Sequence, residues 1–151
     1  MDLISILDLD GQTTLEEARN KVSFPIRLPT YPTGLGQPDH VILQDHDGSV
    51  LILVWTLPEQ PDTTHLSLHV IEPGSWTVEK VKPRFIQETT VSGQPAVWAV
   101  GPYIVRLLNG DLDIRRLIDG HVLIWVEDGI TYRLEIDLPL AEAVRIAESL
   151  K

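Results

Sequence analysis

The 151 residues include no cysteine, which excludes disulfides, thiolate catalysis and cysteine–zinc sites and leaves the redox compartment undecided. No apolar run approaches the roughly 20 residues that a membrane-spanning helix requires, so the chain is not expected to cross a bilayer. The start, Met1-Asp2-Leu3-Ile4-Ser5-Ile6-Leu7-Asp8, lacks the basic stretch of a signal peptide. Basic residues are scarce, 12 against 22 acids, and the net charge of −10 repels phosphate backbones, so a nucleic-acid partner is not expected. The nucleophile elbow G-x-S-x-G, the H-E-x-x-H pair and the Walker loop are all missing, as are internal repeats and low-complexity segments. Gly34-Leu35-Gly36 lacks a third glycine and follows prolines, so it is no dinucleotide loop.

What is present describes a packed domain. Apolar residues make up 43%, enough for a chain of this length to bury about two-thirds of its unfolded surface without a metal or disulfide. The charge is uneven: residues 1–79 hold 12 acids and 3 bases, residues 80–151 hold 10 acids and 9 bases. Solubility accounts for it most simply, and an acidic face for a basic partner is the functional alternative.

Residues 1–12 read as a linker or extended lead-in and 13–151 as one domain. A helix is expected from about Thr14 to Val22. Thr14 and Glu17 form a capping box, Glu16 and Glu17 suit the positive end of the helix dipole, and Leu15, Ala18 and Val22 make an apolar stripe. Pro25 stops it. Four prolines and two glycines fall within residues 24–38, which forbids regular structure. A polyproline ligand built on Arg27, Pro29 and Pro32 is one reading. The apolar residues between the prolines (Phe24, Ile26, Leu28 and Tyr31) favour an ordered loop pinned to a core.

The middle of the chain reads as strands joined by hairpins. His40–Asp45 and Ser49–Thr56 flank Asp47-Gly48, and the second of them is apolar on both faces and therefore central. His65–Ile71 alternates, with Leu66, Leu68 and Val70 expected inward and Ser67 and His69 outward. Trp76–Lys82 is a weak strand or an excursion. Ile86–Val91 and Pro95–Val100 flank Ser92-Gly93-Gln94. Tyr103–Leu108 and Ile114–Ile118 are further strand candidates. His121–Glu127 and Ile130–Asp137 flank Asp128-Gly129. In the first of these two, Leu123 and Trp125 oppose Val122, Ile124 and Val126; in the second, Tyr132, Leu134 and Ile136 are expected inward and Arg133, Glu135 and Asp137 outward. A closing helix from Pro139 to Leu150 carries a stripe of Leu140, Ala143, Val144, Ala147 and Leu150. The expected fold is α+β: an antiparallel β-sheet of about seven to nine strands flanked by an N-terminal and a C-terminal helix.

Candidate site residues are few. His65 and His69 share a strand face but lie roughly 13 Å apart along it, too far to share a metal. Asp8-Leu9-Asp10-Gly11 and Asp45-His46-Asp47-Gly48 are fragments of a calcium loop without its full spacing. No metal and no cofactor is expected. Trp55, Trp98 and Trp125 sit in strands and read as core. Trp76, after Pro73-Gly74-Ser75, is the tryptophan best placed for a ligand or partner surface, with Tyr31 from the proline loop beside it as a candidate. Lys80, Lys82 and Arg84 alternate along one face of an extended segment, as an anion site or, more simply, a protected strand edge.

Three groups of segments together resemble a known family. They are Leu15-Glu16-Glu17-Ala18 with Phe24-Pro25-Ile26-Arg27-Leu28-Pro29 and Gly36-Gln37-Pro38-Asp39-His40-Val41; Val91-Ser92-Gly93-Gln94-Pro95-Ala96-Val97-Trp98; and Leu123-Ile124-Trp125, Gly129 to Glu135 and Ala143 to Leu150. The pattern is similar to a bacterial domain-of-unknown-function family, found as the extracytoplasmic C-terminal domain of membrane-anchored proteins, often zinc-finger-type anti-sigma factors. The resemblance spans about residues 8–151 and carries over no catalytic residue. It implies a non-enzymatic sensor or interaction domain outside the membrane, whose partner is a protein or small ligand there. It implies too that the anchor belongs to a segment absent from this chain, with residues 1–12 as linker. If Met1 is the native start, a cytoplasmic protein is implied instead. The chain departs from the family's whole proteins in having no cytoplasmic anti-sigma region, no His/Cys zinc cluster and no transmembrane helix. Two other classes remain open: a small-molecule or lipid-binding carrier, with Trp76 and the proline loop closing a pocket, and a hydrolase built on a buried carboxylate or histidine with a shifted pKa.

Overall fold

Short apolar stretches separated by turn residues fold here into two antiparallel sheets, seen in a computed structural model. It describes residues 11–45, 49–57, 59–72, 76–79, 85–100, 104–107, 112–113 and 121–151, and at 45, 60–63, 76–79, 85–86, 100, 104–107 and 112–113 the backbone alone. The elements are β1 (Gln12–Thr13), α1 (Leu15–Lys21), β2 (His40–Asp45), β3 (Ser49–Leu57), β4 (Gln60–Ile71), β5 (Trp76–Glu79), β6 (Phe85–Val91), β7 (Gln94–Val100), β8 (Ile104–Leu107), β9 (Leu112–Asp113), β10 (His121–Glu127), β11 (Ile130–Ile136) and α2 (Leu140–Glu148).

Eight strands form the main sheet in the order β1-β2-β3-β4-β11-β10-β7-β6. Every pairing is antiparallel. The segments between β4 and β6 and between β7 and β10 contribute β5, β8 and β9, which pair as a separate three-stranded sheet. The strand expected at Ile114–Ile118 lies outside the described residues, as do the Asp47-Gly48 turn and most of the lead-in.

Turn chemistry sets the register. Ser92 and Gly93 have φ of 49° and 81°, and Asp128 and Gly129 have 51° and 80°. Two consecutive positive φ values are the signature of the type I′ turn, whose twist matches that of the strands it joins. Val91 therefore faces Gln94, and Glu127 faces Ile130. Pro95 has no N–H to offer β10, and the β7–β10 ladder ends beside it at the Ala96–Trp125 pair. Val126, one residue further on, is 48% exposed.

One face of the sheet carries the principal core. Leu51, Leu53 and Trp55 of β3, Leu66, Leu68 and Val70 of β4, Leu123 and Trp125 of β10, and Leu134 and Ile136 of β11 meet Ala18, Ala143, Ile146, Ala147 and Leu150. Each such aliphatic side chain contributes about 1.5–3 kcal/mol by leaving water. Both helices lie on this face, α1 against β2 and α2 against β6, β10 and β11. They are short, seven and nine residues, so the molecule is mostly sheet. Thr14 caps α1 as expected, its hydroxyl accepting from the Glu17 amide at 3.1 Å, while the Glu17 carboxylate accepts from the Thr13 hydroxyl at 2.8 Å.

The opposite face is buried too. Ile42, Val50, Ile52, Val54 and Ile71 form one cluster there, and Ala99, Val122 and Ile124 another. This corrects the expected exposure of four residues. Ser67, His69, Arg133 and Glu135 do point away from the principal core, but they are 0–5% exposed rather than solvated. Asp137, one residue past the end of β11, is exposed as expected.

Candidate functional site

The proline-rich segment 24–38 is an ordered loop folded back on the closing helix. Ile26 is buried, and Phe24, Leu28, Tyr31 and Leu35 pack against the principal core. The main chains of Leu28 and Lys151 exchange two hydrogen bonds, of 3.0 and 3.1 Å. The Ser149 hydroxyl accepts from the amides of Thr30 and Tyr31 at 3.0 and 3.1 Å and donates to the Ile146 carbonyl at 2.7 Å. The Thr30 hydroxyl donates to the Ser149 carbonyl. Further along, the indole N–H of Trp55 donates to the Gly36 carbonyl at 3.1 Å. The Tyr31–Pro32 peptide is cis.

These contacts leave a pocket of about 300 Å3 between loop and chain end, lined by Leu28, Pro29, Thr30, Pro32, Gly34, Leu35, Gly36, Gln37 and Lys151. That volume lies at the small end of the range for ligand sites. Leu28, Pro29, Pro32 and Leu35 supply its apolar wall. Gly34 and Gly36 have positive φ, and a methyl group at either would meet open space.

Two polar clusters brace the loop. The Arg27 guanidinium lies 2.9 Å from Glu127 Oε2 and 5.8 Å from the centre of the Tyr132 ring, and it donates to the Leu150 carbonyl at 3.3 Å. Glu127 Oε1 accepts from the Trp125 indole at 3.0 Å. Burial of Arg27 works against its charge, but hydrogen bonds to Glu127 and Tyr132 outweigh that, so its pKa sits above the usual arginine value. In the second cluster the Tyr31 hydroxyl donates to Glu142 Oε2 at 2.6 Å, and Arg145 lies over the Tyr31 ring at 4.2 Å. The bond to Glu142, with some burial, raises the Tyr31 pKa against the opposing field of Arg145. Tyr31 is thus committed to contacts within the molecule, in the loop that walls the pocket.

Among the described side chains, no other sequence candidate lines this pocket. The backbone at Trp76 belongs to β5 of the small sheet, paired with Leu107. Lys80, Lys82 and Arg84 lie outside the described residues. Trp55, Trp98 and Trp125 are 1–5% exposed and belong to the core.

The second buried face holds a cluster that alternation alone misread. His69 Nε2 lies 3.7 Å and Arg133 Nη2 3.6 Å from the same oxygen, Glu135 Oε2, with side-chain exposures of 7, 2 and 2%. In register, Ser67 faces Glu135 and His69 faces Arg133. A hydroxyl, an imidazole and a carboxylate are the residue types of nucleophilic hydrolysis. Here Ser67 has no exposed surface and Arg133 shares the carboxylate with His69, so the arrangement neutralises buried charge and presents no nucleophile to solvent. The signal that would have found it is the company of strands. The neighbours β3 and β10 are apolar on both faces, and a strand pair between such neighbours is covered on both faces too. Among the described residues no group of three or more His, Asp or Glu side chains is placed to hold a metal ion. No described helix is long and apolar enough to cross a membrane.

Compared with known proteins, the chain matches no family, no curated protein and no solved structure.

Proposed function

We propose that this chain is a non-enzymatic sensor or interaction domain that works outside the membrane, as part of a membrane-anchored, anti-sigma-factor-like regulator. Its partner is then a protein or small ligand in that compartment, and its anchor lies in a segment other than this one. One observation carries the reading: segments far apart in sequence, several of them in the family-like pattern, converge on one braced loop. Leu28 bonds to Lys151, Gly36 receives Trp55, and Arg27 reaches Glu127, Tyr132 and Leu150. A loop fixed at this many points supports recognition by a preformed surface, which costs little ordering entropy on binding.

The test is topology in the native host. Alkaline phosphatase fused after Lys151 in the chromosomal gene is active only when exported, so an active fusion is expected. Activity confined to the matching β-galactosidase fusion overturns the location and with it the anti-sigma reading.

The pocket favours a second reading, a carrier of small apolar molecules. Trp55 bonds to the Gly36 carbonyl in the pocket wall, so occupancy is expected to change tryptophan emission saturably. Unchanged emission across fatty acids and aromatic acids sinks that reading and leaves the first standing.

A further inference from the structure

The main sheet ends unequally. On one side its last strand is β1, only two residues long and running directly into α1 through the Thr14 cap. On the other side it ends at β6, seven residues in unbroken register with β7. Among the described residues nothing pairs with the outer side of β6. The two-residue turn at Ser92-Gly93 makes Val91–Gln94 a hydrogen-bonded pair, so Thr89 and Gln87 also bond inward to β7. The amides and carbonyls of Thr90, Glu88 and Ile86 then point outward. Pro95 fits this assignment, since it faces Thr90 at a position where β7 needs no N–H toward β6. Gln87, Glu88 and Thr90 are exposed. Edge strands in soluble proteins are ordinarily blunted by lysine, proline, a bulge or brevity. The stretch Gln87–Val91 has no lysine, proline, bulge or brevity, and its single charge is the carboxylate of Glu88.

We infer that the outer edge of β6 is a docking site for an extended, lysine- or arginine-bearing segment of a partner protein, which adds to the main sheet as a ninth strand. Main-chain hydrogen bonds to Glu88 and Thr90 hold it, and alternate side chains read the neighbouring surface. The charge of the occupant follows from the described charges at this edge. Glu88 is the one charged residue among Gln87–Val91, and Glu148 is fixed beside the turn by accepting from the Ser92 amide at 2.9 Å. A basic residue opposite Glu88 is favoured and an acidic one opposed. The same charge disfavours a second copy of this chain, because the longest antiparallel self-pairing of β6 is centred on Glu88 and sets two carboxylates face to face. This inference does not depend on which side of a membrane the domain occupies.

The probe is a capped seven-residue peptide alternating lysine with valine, with a glutamate–valine peptide as its counterpart, added to the full chain. Isothermal titration is expected to show binding of the lysine peptide alone, and amide hydrogen exchange is expected to slow at Glu88 and Thr90. Thr90→Pro removes an outward N–H and no ladder bond, so it is expected to abolish binding while the thermal melt is retained. Glu88→Lys is expected to weaken the lysine peptide about tenfold and to favour the glutamate peptide. Should Thr90→Pro fail to fold, Glu88→Lys decides alone. Absence of binding at millimolar peptide, affinity unchanged by Glu88→Lys, exchange slowed at residues 28–37 instead, or concentration-dependent dimers of the free chain each overturn the inference. None of these outcomes bears on the exported-fusion test.

Discussion

At the scale of single residues, the strongest demand on this fold is the carboxylate of Glu135, buried on the less visible face of the sheet between Arg133 and His69. Breaking a buried ion cluster costs more than never having built it, because the charge left behind has lost both water and partner. Arg133→Met is therefore expected to lower stability by about 3–5 kcal/mol. The double variant Arg133→Met with Glu135→Leu is expected to lose less than Arg133→Met alone. Urea unfolding of the wild type, both single variants and the double variant measures this, and simple additivity contradicts the account. A second prediction concerns Tyr31, whose pKa is raised in the folded chain by its bond to Glu142. A raised folded pKa means that the bond's contribution is whole below the unfolded tyrosine value of about 10 and fades as pH rises through the folded value. The Tm difference between the wild type and Tyr31→Phe is thus expected to be constant from neutral pH up to about 9 and to shrink beyond the usual tyrosine range. A gap that widens in alkali contradicts it.

At the scale of elements, turns and caps do what their residue types dictate. Gly129 at φ 80° closes the β10–β11 hairpin, which brings Trp125 onto Tyr132 with ring centres 5.2 Å apart. Gly129→Ala forces a side chain into the left-handed region and is expected to cost about 1–2 kcal/mol, read as an earlier denaturation midpoint at unchanged m-value. This is the level at which the sequence was most legible. Asp-Gly and Ser-Gly marked two hairpins, Thr14 with Glu17 marked a helix start, and the doubly apolar Val50–Trp55 marked a central strand. The lower legibility elsewhere has physical causes. Gln60–Thr64 extends β4 past Pro61 through a stretch of shifted register with β3, where no alternation advertises a strand. Period-two patterning assigned Ser67, His69, Arg133 and Glu135 to the right face, but it carries no information on whether that face is covered. In the proline loop, the apolar residues between prolines announced anchoring. The partners in that anchoring, Ser149, Lys151 and Trp55, lie too far off in sequence for any local pattern to name.

Over the whole molecule, the decisive contacts join the beginning of the domain to its end. The loop at 24–38 and the last turn of α2 hold each other through Ser149, whose hydroxyl serves two loop amides and one helix carbonyl at once. Loop closure over some 120 residues is expensive in chain entropy, so such contacts form only with the rest of the fold and are lost with it. Two expectations follow for Ser149→Ala. The amide of Tyr31, half-buried, loses its acceptor, for a cost of about 1–3 kcal/mol or a Tm lower by roughly 5 °C. The loss should also remain global: tryptophan fluorescence, which reports Trp55 beside the loop and Trp125 in the core, and far-ultraviolet dichroism, which reports the sheet, should still trace one transition. Were the loop an appendage on an independently stable sheet, the substitution would split the two signals, with fluorescence changing at lower temperature than dichroism. That separation would make the pocket a mobile feature. Coincident curves would make it part of the same cooperative unit as the sheet, as a preformed recognition surface requires.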